Sequence, residues 1–423
     1  MDSGFGTALV QKIDADNLDY NTVFYFNIFV SVLCYWLLFW AAPLVSEFYN
    51  QPQLTDILRI LALNIVISSL TLVPHNILYK RLAFRQLAII NTISMSVSGV
   101  AAIVAALNGF GAWSLVLQHL CGSLLKVPLF FLLCPWKPRL TFSGRRLRPL
   151  FSYGSKIFGA ALVQRIFDNI YSIVIGKMYS AEMLGHFHRA ASLQNIPTRI
   201  LTISVSSVTF PLFSEIQDDR KRLKQHVRKA IMLEAFVVFP ALAGVATIAL
   251  PFVKVFLTEK WLPCVPYVYL LCMASIAYPM KIINQNVLRA TGRSDLFMYN
   301  EIISKILLIL CLVITVRYGI TAMLVGNVAH SWIMWGMLAY QSGRLIDYSP
   351  REQCLDVAPM LWTSILMGVV VIGLGQVIPC DILKLILLPI CGALVYVLVS
   401  FVCKISMLNE VILIMRNRLG VAP

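Results

Sequence analysis

Charged residues are scarce in this chain. Only 13% of its 423 residues are Asp, Glu, Lys or Arg, whereas a soluble domain carries about 25%. Because 59% of the residues are hydrophobic, the composition excludes a water-soluble fold and predicts that most of the chain contacts lipid. Acidic residues are the scarcest, 20 against 35 Lys and Arg, and the net charge is +15. We interpret this excess as the basic cytoplasmic loops of a membrane protein and not as a nucleic-acid surface.

The chain also lacks the patterns of several other protein classes. Its ten cysteines show no CxxC or Cys/His spacing, which argues against a disulfide frame or a metal site and favours packing roles. Residues 1–19 have no basic start followed by an apolar core, so no signal peptide is predicted. Long loops are missing as well. The longest connections, 135–151 and 214–229, are too short for an inserted domain.

Twelve apolar runs are long enough to cross a bilayer, which takes about 20 residues per helix. They lie near 22–47, 56–79, 86–108, 112–134, 152–177, 183–213, 230–253, 263–288, 296–316, 319–341, 356–378 and 382–403. The connections on one side of these spans are rich in Lys and Arg, and those on the other side are nearly bare. This alternation predicts that the basic side is cytoplasmic and that both termini lie there.

The chain contains an internal repeat. The segment 76–78 (Asn-Ile-Leu) recurs at 286–288 (Asn-Val-Leu), and 109–112 recurs in related form at 319–322. Such symmetry is typical of transporters built from two lobes with the site between them. Spans one to four pair with spans seven to ten, so spans five and six lack a partner and we expect two further helices upstream of residue 1.

The predicted fold is therefore an all-α polytopic membrane protein with twelve transmembrane helices of a total of fourteen. Two pseudo-symmetric six-helix lobes, the first lacking two helices, precede two extra C-terminal helices. The predicted parts are an incomplete N-terminal lobe at 1–136, a basic cytoplasmic linker at 137–151, a C-terminal lobe at 152–345, an extra helix pair at 356–403 and a cytoplasmic tail at 404–423.

Three stretches carry a resemblance to a known family. They are residues 2–11, Phe167-Asp168-Asn169 leading to 175–177, and 210–214. Together with the two-lobe topology, they resemble the Wzx-type polysaccharide and O-antigen flippases, close to the colanic-acid exporters, of the multidrug/oligosaccharidyl-lipid/polysaccharide superfamily. The resemblance implies a transporter, not an enzyme, that moves an undecaprenyl-diphosphate-linked oligosaccharide across the bacterial inner membrane for lipopolysaccharide or other surface-polysaccharide biosynthesis.

The resemblance also implies a mechanism. It predicts alternating access through a cationic central cavity, coupled to a proton or sodium ion. We expect a monomer in contact with membrane lipids, without cofactor, metal or nucleic acid.

Charged residues within spans are costly and usually face a cavity, so they are the first candidates for the site. Gln164, Arg165 and Asp168 share one side of span five. Arg165 would bind a phosphate oxygen with its fork of donors, and Asp168 would orient Arg165 or carry a coupling ion. The alternative is an Arg–Asp pair that only neutralises itself. Further substrate-binding candidates are Lys126, Arg189, Arg199 and Lys281.

Structural roles compete with these assignments. Lys126 and Lys281 could be snorkelling side chains, and Glu301 with Lys305 is interpreted as a structural i,i+4 pair. His119 and His330 lie in corresponding spans of the repeat and are weak candidates, with Asp168, for ion coupling. A packed, hydrogen-bonded histidine is the simpler interpretation of each.

Three rival functions remain open. A drug/cation antiporter of the same superfamily would need acidic residues in its cavity, whereas the charges within these spans are mostly basic. A lipid II flippase would differ only in substrate. A membrane-embedded polysaccharide polymerase or acyltransferase would carry catalytic groups on a sizeable loop, and the outer connections here are short and hold no acid/base cluster.

Overall fold

The chain folds as a series of long helices. A computed structural model describes residues 16–405 and 407–410, and within these ranges it contains fourteen α-helices and no strand. In chain order they are α1 (Asn17–Tyr49), α2 (Leu54–Lys80), α3 (Phe84–Leu107), α4 (Trp113–Leu133), α5 (Gly144–Asp168), α6 (Ile170–Met178), α7 (Ala181–Glu215), α8 (Arg220–Phe252), α9 (Val265–Ile276), α10 (Tyr278–Ala290), α11 (Ser294–Thr315), α12 (Ile320–Ile346), α13 (Pro350–Val377) and α14 (Asp381–Val402).

The all-α polytopic class is confirmed. In the described part of the chain, nine helical segments are long and apolar enough to cross a membrane. Large apolar side chains point outward from them, as shown by Trp40 on α1 (74% exposed), Trp362 on α13 (69%) and Phe401 on α14 (71%). Such surfaces suit lipid and not water. The total of twelve spans stays a prediction, because α5, α7 and α12 are not among these nine segments.

Two predicted spans are interrupted. The span at 152–177 ends as α5 at Asp168 and resumes as α6 at Ile170. The span at 263–288 is divided at Ala277 between α9 and α10. Pro279 lies in the first turn of α10 and has no backbone N–H to continue the preceding helix, which explains the second break.

Helices α1 to α5 belong to the first of two compact units, Met1–Ile170. α1 packs on α2, α3 on α4 and α2 on α4, around a core that includes Val23, Ile77 and Phe130. The segment that leads from α4 into α5 is fastened to the start of α1. There the Asn21 side-chain amide donates to the Thr141 hydroxyl over 2.7 Å.

Ion pairs reinforce that junction. Arg146, in the first turn of α5, lies 3.2 Å from the Asp16 carboxylate and 3.4 Å from that of Asp19. The Asp19 side chain is fully buried, so the contact with Arg146 stabilises a charge inside the protein. The start of α5 is thereby fixed relative to α1.

The second compact unit is Tyr171–Pro423. In it α8 packs on α13, α10 on α7, and α9 on α12. The extra C-terminal pair is an integral part of this unit, because the Tyr396 hydroxyl of α14 donates to the Phe236 carbonyl of α8 over 2.9 Å. Asn284 of α10 and Gln353 of α13, both fully buried, are joined by a 2.9 Å hydrogen bond. The predicted lobe boundaries remain predictions.

An ionic contact holds the ends of α8 and α13 together. Arg228 lies 2.5 Å from Asp356, and Lys224 lies 3.2 Å from Glu352. Burial raises the pKa of Tyr348, so its hydroxyl stays protonated and donates to Asp356 over 2.7 Å. These contacts fix the first turns of the extra pair to the basic end of α8.

Candidate functional site

The strongest sequence candidate lies beside the break between α5 and α6. The Asn169 side-chain amide donates to the Arg165 carbonyl over 2.8 Å, and the Asn169 backbone N–H donates to the same carbonyl over 3.2 Å. The backbone bond is the last regular one of α5, and the side-chain bond caps its final turn. Discontinuous helices in transporters bring helix ends and free backbone groups to a binding site. Arg165 and Asp168 therefore occupy the end of a half-helix.

The side chains of this α5 cluster, Gln164, Arg165 and Asp168, are all exposed. The Gln164 amide donates to the Asp168 carboxylate over 2.7 Å. No ion pair joins Arg165 to Asp168 among the described residues, so the self-neutralising pair that was the alternative interpretation is not formed. The guanidinium of Arg165 is available for an anionic group.

Three long helices, α5, α7 and α12, carry charged or titratable side chains well inside their length. Such groups are costly against lipid and usually face water or protein partners. These helices hold most of the candidates predicted from the sequence: Gln164, Arg165 and Asp168 on α5, Arg189 and Arg199 on α7, and His330 on α12.

Arg189 has an aromatic partner that sequence reasoning missed. Its guanidinium lies over the Trp261 ring, 5.0 Å from the centroid, and the His186 ring meets the same indole edge-on at 5.5 Å. Trp261 belongs to a short 3₁₀ helix, Glu259–Cys264, between α8 and α9. A Trp in a short connection between two spans was the signal that the sequence offered. The contact orients an exposed cation through cation–π attraction.

Lys281 belongs to a second group of charges. Glu301 of α11 accepts from the Gln285 amide over 3.1 Å and lies 3.2 Å from the Lys305 ammonium. Lys281 of α10 interacts electrostatically with Glu301 and Lys305. His330 of α12 interacts in turn with both lysines. We call these five residues the second-unit cluster. Glu301 and Lys305 thus form a pair, as the sequence suggested, but within a larger group.

The two histidine candidates have different surroundings. His119 is exposed on α4. His330 is 5% exposed, and its Nε2 lies 3.1 Å from the Ser304 carbonyl oxygen and 3.2 Å from the Ser304 hydroxyl. Corresponding positions in the repeat therefore do not give equivalent environments.

The other predictions are placed as follows. Lys126 is half-buried on α4. The Arg199 side chain and the motif at residues 2–11 lie outside the described residues. Within the residues that were searched, no group of three or more His, Cys, Asp or Glu side chains has an arrangement that could hold a metal ion.

An apolar cavity lies apart from these charges, within the second unit. It has a volume of about 830 Å³ and is bounded by α8, α9, α13 and α14. Its described lining includes Leu242, Met273, Ile365, Val371 and Leu388, and Lys384 is the one charged residue in it. The cavity is chemically suited to a hydrocarbon chain and not to a polar group.

Apolar spans, broken helices and charges within the membrane-length helices define a transporter-type polytopic protein. The fold is similar to that of a solved lipid II flippase, MurJ, in an inward closed conformation. The TM-score is 0.76, the match covers 96% of this chain and 88% of that one, and the sequence identity is 15%. This similarity shows the fold.

Residues 1–266 match the polysaccharide biosynthesis protein family, and the chain belongs to that family. Its similar relatives include the teichuronic acid biosynthesis protein TuaB of Bacillus subtilis, 29% identical over 71% of this chain and 62% of the relative. The lipopolysaccharide biosynthesis protein WzxC of Escherichia coli is 24% identical over 71% and 61%, respectively.

The succinoglycan biosynthesis transport protein ExoT of Rhizobium meliloti is 24% identical over 98% of this chain and 85% of that protein. The chain therefore spans about three fifths of the length of the first two relatives and more of the third. The family resemblance predicted from the sequence is confirmed.

Proposed function

We propose that this protein flips a lipid-diphosphate-linked oligosaccharide across the bacterial inner membrane for surface-polysaccharide biosynthesis. The observation that carries the proposal is the exposed α5 cluster at a helix break, in a chain with the fold of a flippase. The names of the relatives, which concern teichuronic acid, lipopolysaccharide and succinoglycan, support a glycan-bearing substrate.

The chemistry of the substrate accounts for the types of residue found in the candidate site. A diphosphate and a polar glycan must cross about 30 Å of hydrocarbon, while the lipid tail stays in an apolar phase. Arg165 binds a phosphoryl oxygen pair with its planar fork. Asp168 accepts from Gln164 and leaves the guanidinium of Arg165 open to the phosphoryl group. Arg189, on its indole support, contacts the anionic or glycan part, and Lys126 and Arg199 add positive charge along the path.

The lipid tail needs a separate place. The cavity bounded by α8, α9, α13 and α14 offers an apolar lining and a volume of about 830 Å³. In this proposal it receives part of the polyprenyl chain while the headgroup crosses. Burial of hydrocarbon there is favourable by about 0.8 kcal/mol per methylene relative to water.

Coupling and orientation are part of the same proposal. A proton or sodium ion drives alternating access, with Asp168, His119 and His330 as the groups that respond to it. Both termini lie in the cytoplasm because the Lys- and Arg-rich connections, such as the start of α8, lie on that side. The protein acts as a monomer.

The alternative functions differ in the substrate that the transport pathway must bind. A lipid II flippase is favoured as the second candidate by one observation, the structural similarity to MurJ. A drug antiporter would need acidic groups where this chain offers Arg165 and Arg189. A polymerase or acyltransferase lacks support from the relatives, one of which is named a transport protein.

Complementation tests the proposal. The chain is expressed in a strain that lacks its polysaccharide flippase, and surface polysaccharide is measured. We expect rescue by the unaltered protein and none by Arg165→Glu. Arg317→Glu, which reverses an exposed arginine in the turn before α12, is the matched control and should rescue. Failure of the unaltered protein where a known flippase succeeds would remove the proposed role. Rescue of a lipid II flippase mutant alone would favour the second candidate.

A further inference from the structure

The two halves of the span that is broken at Ala277 are held in the second unit by different kinds of contact. α10, the half that ends at the turn 291–293, carries three consecutive buried amide side chains, which we call the amide triplet: Asn284, Gln285 and Asn286. Successive residues of an α-helix point about 100° apart. The three amides therefore face different neighbouring helices.

The first member of the amide triplet joins α10 to two helices. Asn284 and Gln353 of α13 exchange two side-chain hydrogen bonds, of 2.9 and 3.1 Å. The Ser342 hydroxyl of α12 donates to the same Asn284 oxygen. All three residues are fully buried, so each of these bonds replaces one that water cannot supply there.

The other two members reach two further helices. The Gln285 amide donates to the Glu301 carboxylate of α11 over 3.1 Å. The Asn286 amide donates to the Thr209 hydroxyl of α7 over 3.1 Å. Directional side-chain bonds thus connect α10 to α7, α11, α12 and α13.

The other half, α9, is held without such bonds. Among the described residues, no α9 side chain forms a hydrogen bond or an ion pair with another helix. α9 packs on α7, α8 and α12 through apolar side chains such as Val268 and Leu271. Apolar attraction is not directional, so these contacts tolerate a shift of the helix. Tyr269 and Met273 of α9 also line the apolar cavity.

The internal repeat provides a comparison within the same chain. The offset that aligns 76–78 with 286–288 makes α2 the counterpart of α9 and α10 together, and α2 is continuous. It has Pro-His-Asn at 74–76 in place of the amide triplet, and Ser69 in place of Pro279. The Asn76 amide donates to the Leu72 carbonyl of its own helix over 2.9 Å. The break and the amide triplet therefore occur together in the second copy.

The backbone at the break is suited to bending. Ala277 lies in the right-handed helical region, with φ −73° and ψ −17°, so a small change in these angles alters the bend. Pro279 has no N–H to donate to the Ser275 carbonyl four residues earlier. The bend can therefore change without the loss of that backbone hydrogen bond.

We infer that Ala277 and Pro279 form a hinge, about which α9 swings to open and close the apolar cavity while the amide triplet holds α10 in place. α9 has twelve residues. Its length is about 18 Å, so a change in bend of about 20° moves its far end by about 6 Å. The hinge itself does not depend on the proposed function, whereas its use in admitting the lipid tail of the substrate rests on it.

Distances between paired spin labels on the purified full chain in nanodiscs test the hinge. The outer pair joins Pro266→Cys, at the start of α9, to Val377→Cys, at the end of α13. The inner pair joins Arg289→Cys on α10 to Leu355→Cys on α13. All four positions are exposed. The exposed native cysteines are replaced by serine: Cys354, Cys380 and Cys403. Measurements are made without and with undecaprenyl diphosphate.

The two pairs should give different distance distributions. We expect the outer distribution to be broader than the inner one, or to shift with undecaprenyl diphosphate, by about 6 Å, the swing estimated from helix length. Asn284→Leu combined with Gln353→Leu should broaden the inner distribution. Replacing both partners of a buried hydrogen bond leaves no unpaired group, so we expect this variant to fold.

A proline replacement separates the hinge from a purely structural role. Pro279→Ala restores an N–H donor, so it should narrow the outer distribution and slow lipid flipping several-fold without lowering the unfolding temperature. Pro389→Ala, in the unbroken helix α14, is the matched control and should change neither distance nor rate. If Pro279→Ala does not fold, the distances in the labelled chain with Pro279 decide.

Some results would overturn the inference. They are outer and inner distributions of equal width that do not shift with undecaprenyl diphosphate, or a folded Pro279→Ala with an unchanged outer distribution. Undiminished flipping by a folded Pro279→Ala would also contradict the hinge. A mobile α9 in a chain that flips no lipid would defeat the proposed function alone. Flipping with a fixed α9 would defeat only this inference.

Discussion

Gln164 with Asp168 on α5, and Glu301 with Lys305 on α11, are both i,i+4 pairs of polar side chains inside a predicted span. The first pair is exposed next to a helix break, and its neighbour Arg165 has a free guanidinium. In the second pair, Glu301 accepts from the Gln285 amide of α10 and lies 3.2 Å from the Lys305 ammonium. Equal spacing along a helix therefore leads to an exposed group in one place and to a contact between two helices in the other.

The difference between the clusters comes from the helices that carry them. In the part of the first unit that the structure describes, α5 packs against α1, and Gln164, Arg165 and Asp168 near its end are exposed. α11 packs against α10 and α12, which brings polar side chains of three helices to one depth. The same substitution should consequently have effects of different size in the two clusters.

The largest expected effect comes from replacing Glu301 by lysine, compared with the same replacement of Asp168. Glu301→Lys puts a like charge beside the half-buried Lys305, and we expect it to lower the free energy of unfolding by about 2 kcal/mol, within the range for a hydrogen bond to a charged group. Asp168→Lys, on an exposed face, should change it by less than about 0.5 kcal/mol. Thermal unfolding of both variants in one detergent measures the contrast. Equal losses would show that burial does not separate the two clusters.

Replacing the planar guanidinium of Arg165 by a lysine ammonium should slow transport without changing the stability of the protein. Arg165→Lys keeps the charge but cannot bind a phosphoryl group through two parallel hydrogen bonds. We expect initial flipping rates about tenfold lower, the loss of one charge-assisted bond, with an unchanged unfolding temperature. Arg317→Lys is the control. A full rate for Arg165→Lys would mean that the planar geometry is not used.

Removing the Trp261 ring that contacts Arg189 should slow flipping less than Arg165→Lys does. Trp261→Ala removes a cation–π contact worth about 0.5–1 kcal/mol at an exposed site, so flipping should slow by about two- to fivefold. Trp261→Phe retains an aromatic face and should recover most of the rate. If both variants behave like the unaltered protein, Arg189 needs no orientation by the indole.

The smallest expected effect comes from removing the side-chain cap at Asn169, which can be compared with an equivalent cap at Asn108. Asn108 makes the same bond at the end of α3, from its side-chain amide to the Val104 carbonyl over 2.8 Å. Asn169→Ala and Asn108→Ala should each cost about 1 kcal/mol, seen as faster hydrogen exchange in the last turn of α5 or α3. Only Asn169→Ala should reduce flipping. A similar reduction in both variants would mean that the break at Asn169 has no special role.

The helices were largely predictable because each apolar run is a local property of the sequence. The break at Ala277 had a visible signal in Pro279. The break at Asn169 had none, since no proline or glycine lies there, and it depends on a side-chain cap. The contact between Arg189 and Trp261 could not be predicted, because it joins residues on separate helical elements.

The second-unit cluster was predictable only in part. Lys281 was recognised as a charge inside a span, and the spacing of Glu301 and Lys305 gave their pairing. The antiparallel register of α10 and α11 brings these residues together, and it depends on where the turn at 291–293 falls. Exposure, which distinguishes this cluster from the one on α5, is a property of packing that spacing alone does not contain.

The most direct test of the central claim is flipping of a fluorescent undecaprenyl-diphosphate oligosaccharide in proteoliposomes that contain the purified chain. We predict transfer well above empty liposomes, abolished by Arg165→Glu, reduced by Lys281→Gln and retained by Arg317→Glu. Transfer equal to that of empty liposomes, or an undiminished rate with Arg165→Glu, would contradict the proposal that this protein is a flippase whose α5 cluster binds the diphosphate.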